Sequence, residues 1–341
     1  MTENHHDRTF ARASWTLLAG CVLVACAAEG AARFVLDGAS KIQRRTVDEY
    51  ALAQTIGTDG CGRKHVLLVG NSLLDEDVRF DRVRAALADG WDARRFVIEQ
   101  TFYYDWYYGL KRLFHEGARP DVVVVMLSSR QWIRTDVRGD YSAHYLIRTT
   151  DLLDAARDLN MNATQTTNLV VANTSKFWGA RAEIRNFLLG RMMPDLGALM
   201  NFSSVVDSRP LTAAEVESIA AERIARLNEL TDSYGARLVV LMPVLLETKN
   251  AWLGMLNAAE RNQVTALMPA AQGSFARHLY RDAGFHLNPT GAAAFTDKLI
   301  PELQKTLTQW SRRTRAADDD KRPGHQPVIE ASLPFASDRH D

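Results

Sequence analysis

Apolar positions along this chain fall into two patterns, short continuous runs and longer stretches with helical spacing. The runs are His65-Val-Leu-Leu-Val69, Arg95-Phe-Val-Ile-Glu-Gln100, Asp121-Val-Val-Val-Val-Met-Leu127 and Arg237-Leu-Val-Val-Leu-Met-Pro243. Runs of that length, rich in β-favouring residues, suit strands buried on both faces of a parallel sheet. Between and after them lie Glu76 to Ala88, with Val78, Val83 and Leu87 on one face, then Phe102 to Phe114, Thr212 to Tyr234 and Pro289 to Trp310. Strands alternating with amphipathic helices predict an α/β fold built on a mostly parallel sheet. The stretch from about 131 to 210 is too long for a plain connection and predicts a mostly helical insertion.

A different pattern opens the chain. Arg8 and Arg12 precede an apolar stretch, Ala13 to Ala32, interrupted only by Glu29 and closed by Arg33. At about 1.5 Å per residue it just spans a bilayer core of about 30 Å. The order basic, apolar, basic predicts an uncleaved signal-anchor over 13–33, with residues 1–12 in the cytoplasm. Two cleavage readings compete with it: Leu23-Val24-Ala25-Cys26 resembles a bacterial lipoprotein box, and Ala25-Cys26-Ala27 is a possible small-residue cleavage site. All three place the rest of the chain in the periplasm or outside the cell. Residues 34–64, with Gly57, Gly60 and Gly62, then read as a stalk, 65–310 as the globular domain and 311–341 as a disordered tail.

The first run stops at Gly70 and delivers Ser72 to a strand-to-helix turn. That places a hydroxyl at the carboxyl end of a strand, where open α/β sheets bind ligands, beside a helix N-terminus that favours developing negative charge. The competing explanation is that Asn71 and Ser72 simply cap the helix. A second stretch changes the balance: Asp282-Ala-Gly-Phe-His286-Leu-Asn-Pro-Thr-Gly291 sets an acid and a histidine before a helix with Asn288 as N-cap and Pro289 at its first position. A serine near the start and a histidine near the end is the order of a serine hydrolase on a doubly wound sheet.

Together the two stretches resemble the SGNH/GDSL hydrolase superfamily. Gly70-Asn71-Ser72 matches its Gly-Asp-Ser block, and His286-Leu287-Asn288 with Gly291 matches its last block; the resemblance spans roughly His65 to Trp310. It implies a three-layer α/β/α sandwich in which Ser72 attacks, His286 is the base and Asp282 orients the imidazole. It also implies cleavage of an O-acyl ester on a glycan or small acylated substrate. Acyl transfer to an extracellular polysaccharide, or a scaffold that has lost catalysis, are the alternatives. Asn71 replaces the family's acid, and Asp282 stands four residues before His286 instead of three. The family's oxyanion-hole glycine is missing near Thr101 to Tyr104, and no asparagine follows the third run. Thr101, Ser128 and Ser129 are the candidate donors in their place.

Composition narrows the rest. Lys+Arg and Asp+Glu both number 41, so charge gives no case for a nucleic-acid partner. Cys21 and Cys26 lie in the apolar stretch and Cys61 stands alone, so no disulfide framework is implied. The histidines lack metal-ligand spacing, and no metal or cofactor is expected. Tyr103, Tyr104, Trp106, Tyr107 and Tyr108 suit packing at i,i+4 better than sugar stacking.

Overall fold

The computed structural model describes residues 3–34, 40–58, 62–192, 211–246, 250–281 and 284–321. Helix α1 (Glu3–Phe34) contains a segment, Arg12–Phe34, of mean hydropathy 1.6 that is long and apolar enough to cross a membrane. Helix α2 (Lys41–Gln54) leads to strand β1 (Lys64–Gly70), helices α3 (Ser72–Asp77) and α4 (Phe80–Leu87), and strand β2 (Trp91–Val97). Helix α5 (Tyr103–His115), strand β3 (Val122–Met126) and helix α6 (Ser129–Ile133) follow. The insertion is helical where it is described: α7 (Asp140–Tyr145), α8 (Leu152–Asp158), α9 (Ala163–Thr174), α10 (Lys176–Gly179) and α11 (Arg181–Met192). The chain returns through α12 (Ala213–Ser233), β4 (Arg237–Leu241), α13 (Ala251–Arg261), β5 (Thr265–Leu267) and α14 (Pro289–Lys321). A second unit begins at Pro301 and continues helical to Lys321, over the start of the expected tail; the remainder of that tail lies outside the described residues.

The five strands among the described residues are all parallel, in the order β2-β1-β3-β4-β5. Alternate residues Leu67, Val69, Val123, Val125, Leu238 and Val240 join one core with Trp106, Leu110 and Phe114 of α5 and Ile224 and Leu227 of α12. Their neighbours Val66, Leu68, Val124 and Val239 face the other way and are equally buried. Both faces of the sheet are therefore covered, which is why the strands read as unbroken apolar runs. The chain winds from β1 to β2 on one side and then crosses to β3 on the other. This reversal makes the carboxyl end of β1 the topological switch point of the sheet. Ser72 stands there, two residues beyond Gly70.

Two sequence expectations need correction. The stalk is not a stalk: α2 packs against β2, with Ala53 and Ile56 in the core and Glu49 accepting the Val97 amide at 2.8 Å while pairing with Arg95. Its inward stripe is Gln43, Thr46, Glu49 and Ala53, so hydrophobic periodicity had almost nothing to report. The single helix expected over Glu76 to Ala88 is broken between Asp77 and Phe80, where Val78 is extended. Tertiary bonds impose the break: Asp77 accepts the Leu287 amide, and the Arg79 amide donates to Thr296 Oγ1 at 2.9 Å. The aromatic run of α5 does pack inward, with Tyr103, Trp106 and Tyr108 buried.

Candidate active site

The turn after β1 is constrained by the sheet itself. A Cβ on Gly70 would stand 2.7 Å from the Met126 carbonyl of the adjacent strand, so only glycine fits. Capping then falls to Asn71. Its Oδ1 accepts the Leu73 amide at 3.1 Å, and its carbonyl accepts the amides of Leu74 and Asp75. The fully buried side chain also donates from Nδ2 to the Thr101 carbonyl at 2.9 Å, tying the turn to the loop after β2. A carboxylate could not make that donation, which gives the departure from Gly-Asp-Ser a structural use.

With Asn71 as cap, Ser72 is the first residue of α3 and its hydroxyl is left for other work. Ser72 Oγ lies 2.9 Å from His286 Nε2, across 214 residues of sequence. That is the distance over which a hydroxyl donates to a neutral imidazole nitrogen. The histidine is held by its backbone neighbours. The Arg281 amide donates to the His286 carbonyl at 2.9 Å, and the Leu287 amide donates to Asp77 Oδ1 at 2.8 Å. Phe285 stands edge-on to the imidazole. Beyond it Asn288 Oδ1 accepts the amides of Thr290 and Gly291, the N-cap read from the sequence. Asp282 lies outside the described residues.

The sequence-based oxyanion candidates are occupied with structural bonds. The buried Thr101 hydroxyl donates to the Ile98 carbonyl at 2.7 Å and accepts Trp106 Nε1–H at 2.9 Å. Ser128 caps α6: its amide donates to Gln131 Oε1 at 2.8 Å and its Oγ accepts the Gln131 amide. The Thr101 hydroxyl hydrogen and the Ser128 amide hydrogen are therefore both committed within the fold, while Ser128 Oγ acts as an acceptor. Ser129 opens α6 and is buried. What the sequence reading missed is Gln100. Its φ of 58° is the left-handed conformation usually given to glycine. It directly precedes Thr101, so the loop after β2 bends there through a left-handed residue. Nothing in the residue type announces it.

A charged frame surrounds the turn. Arg45 of α2 bonds both Asp75 of α3 and Glu99 beside Gln100. Arg95 reaches Asp75 at 3.1 Å and Glu49 at 2.6 Å. Burial pulls the Arg45 guanidinium down, and the carboxylates of Glu99 and Asp75 outweigh it, holding its pKa above the ordinary arginine value. Among the described residues no cluster of three or more His, Cys, Asp or Glu is placed to hold a metal.

No family model and no curated protein matches this sequence. Solved structures do. The crystal structure of TesA is 12% identical with a TM-score of 0.38, over 71% of this chain and 99% of its own. A GDSL-like lipase from Bacteroides thetaiotaomicron is 11% identical with a TM-score of 0.35, over 78% and 98%. A catalytic mutant of an acetylxylan esterase from Geobacillus stearothermophilus is 12% identical with a TM-score of 0.36, over 70% and 93%. At such distance the chemistry of this chain has to be read from Ser72, His286 and their surroundings.

Proposed function

We propose that this chain is a membrane-tethered serine esterase of the SGNH type that cleaves an O-acyl ester on a glycan or small acylated molecule outside the cytoplasm. The observation that carries the reading is the Ser72–His286 contact at 2.9 Å, at the switch point of a parallel sheet. A serine hydroxyl within hydrogen-bonding distance of a histidine, at the carboxyl end of a parallel strand, is the pairing that nucleophilic ester cleavage requires.

In the proposed reaction Ser72 Oγ attacks the acyl carbonyl as His286 Nε2 takes its proton. The tetrahedral intermediate collapses, and His286 returns the proton to the departing alkoxide, leaving an acyl-serine. Water, deprotonated by the same nitrogen, then releases the acid and restores Ser72. Asp282 would hold the imidazole in the productive tautomer. The Ser72 amide, the one at the head of α3 that Asn71 does not take, is the first oxyanion donor. The backbone amide of Gln100, whose φ is 58°, is the proposed second donor. Each such donor is worth about a hundred- to a thousandfold in rate. The exposed apolar span Arg12–Phe34 supports the tether.

The test is active-site labelling of the full chain in detergent with a fluorophosphonate, followed by peptide mapping, alongside hydrolysis of short-chain aryl esters. Modification confined to Ser72, with turnover lost in Ser72→Ala, is the expected result. A folded protein that neither labels nor turns over any acyl ester would overturn the reading. Turnover that appears only when a sugar hydroxyl is supplied would identify an acyltransferase instead.

A further inference from the structure

Glu29 is the polar interruption in the apolar stretch of α1, and the catalytic chemistry gives it no role. Its carboxylate accepts from Ser175 Oγ at 2.8 Å, the Lys176 amide at 3.0 Å, the Phe177 amide at 3.1 Å and Arg33 Nε at 2.6 Å. The first three belong to the start of α10, deep in the helical insertion. From Arg12 to Glu29 a helix rises about 26 Å at about 1.5 Å per residue, close to the thickness of a bilayer core. On a membrane helix that enters the bilayer at Arg12, Glu29 would stand at the hydrocarbon boundary on the side of the domain. A bare carboxylate there is costly, and so are open backbone amides. Here each satisfies the other.

The same contact carries apolar side chains to that depth. Phe177 lines one groove with Val24, Ala25 and Ala28 of α1, below Glu29 on the membrane side. The turn is braced from behind. A Cβ on Gly179 would meet His144 Cβ at 2.7 Å, and Ala180 is fully buried. Helix α11 continues from it with Leu188 50% and Met192 75% exposed, one turn apart, and with Arg185 and Arg191 on the same helix. Leu188 and Met192 thus present apolar surface to the outside with Arg185 and Arg191 within reach of lipid headgroups, an arrangement that suits long cationic side chains with apolar stems at an interface.

We infer that α10 and the exposed side of α11 rest in the interface of an anionic bilayer, with Glu29 as the clamp that fixes the domain's attitude to its membrane helix. The occupant of this apolar face is lipid, because the face is continuous with the span and its rim is cationic. The inference rests on α1 being a retained membrane helix. Its consequence is that the insertion does more than cover the sheet, since it sets the height and tilt of Ser72 and His286 above the membrane.

The test uses the full chain in liposomes containing phosphatidylglycerol, with Cys21, Cys26 and Cys61 replaced by serine and one environment-sensitive fluorophore at a time. Labels enter at Val24→Cys, Phe177→Cys, Leu188→Cys and, on the exposed surface of α12, Glu229→Cys. Spin-labelled lipids should quench the Val24 label strongly, the Phe177 and Leu188 labels at interface depth, and the Glu229 label not at all. Glu29→Ala should lower quenching at 177 and 188 several-fold while leaving Val24 unchanged. Labels at 177 and 188 as wet as the one at 229, with Val24 quenched, would overturn the interfacial face and leave the tether standing. A wet Val24 label would remove both.

Discussion

Asp77 Oδ1 accepts the Leu287 amide at 2.8 Å, so the helix that begins with Ser72 and the loop that carries His286 are bonded through groups other than the reacting pair. Asp77 is fully buried, and it sits on the short helix whose early end broke the periodic pattern. The bond holds the backbone one residue beyond the base, so the side-chain torsions of Ser72 and His286 set the final distance between Oγ and Nε2.

That relationship predicts a positioning effect. Asp77→Ala should lower kcat by about tenfold or more with a smaller change in KM, and should cost about 1–3 kcal/mol of stability because a buried amide loses its acceptor. Asp77→Asn, which keeps an acceptor oxygen, should recover most of both. Steady-state kinetics and urea unfolding of the two variants measure this; equal kcat in wild type and Asp77→Ala would show that the bond serves only the fold.

Ser72→Ala and His286→Ala should each abolish ester turnover while shifting unfolding by no more than about 0.5 kcal/mol. Both side chains are half-buried, and the cap of α3 belongs to Asn71, not to Ser72. A large loss of stability in Ser72→Ala would mean that the hydroxyl is part of the fold after all.

Asn71→Asp restores the residue the SGNH resemblance leads one to expect, and here it should do harm. The aspartate keeps the acceptor for the Leu73 amide but, ionised, brings a carboxylate oxygen against the Thr101 carbonyl where Nδ2 now donates. A loss of about 1–3 kcal/mol is expected, partly recovered at acid pH where the carboxyl can carry a proton. Unfolding measured at pH 5 and pH 8 checks both the size and the sign.

How far the sequence carried the fold and the site follows from which signals are local. Gly70 ending an apolar run and Asn288-Pro289 opening a helix are decided by neighbours in the chain, and the structure places both as read. The pairing of Ser72 with His286 was legible because each sits at such a boundary. Helix α2 was not, because its buried stripe is polar and its partners, Arg95 and the Val97 amide, lie on a strand far along the chain. Strand β5 spans only Thr265–Leu267, too short for any period to register. Gln100 adopts a glycine-like conformation with no glycine, and nearby bonds from Asn71 and Trp106 to Thr101 brace the loop in which it sits.

A last prediction concerns Asp105, which accepts the Phe102 amide at 2.6 Å and the Arg138 amide at 3.1 Å, joining the start of α5 to the insertion. Burial pushes its carboxyl up to about 7, against the Ser142 hydroxyl and the two amides, which favour the anion. An unfolded aspartate titrates near 3.9. Between about pH 4 and pH 7 the folded chain therefore holds a proton that the unfolded chain has lost. Stability contributed by this group is complete below pH 4, falls as pH rises towards 7 and is level above it, with a slope of at most about 1.4 kcal/mol per pH unit. Asp105→Asn removes the titration, so the stability difference between wild type and variant should shift against the wild type across that window. Urea unfolding of the full chain in detergent at pH 4.5, 5.5, 6.5 and 7.5 reads the difference directly, because groups common to both proteins cancel. A difference that stays constant with pH would mean that the amides win and Asp105 is already ionised at pH 4.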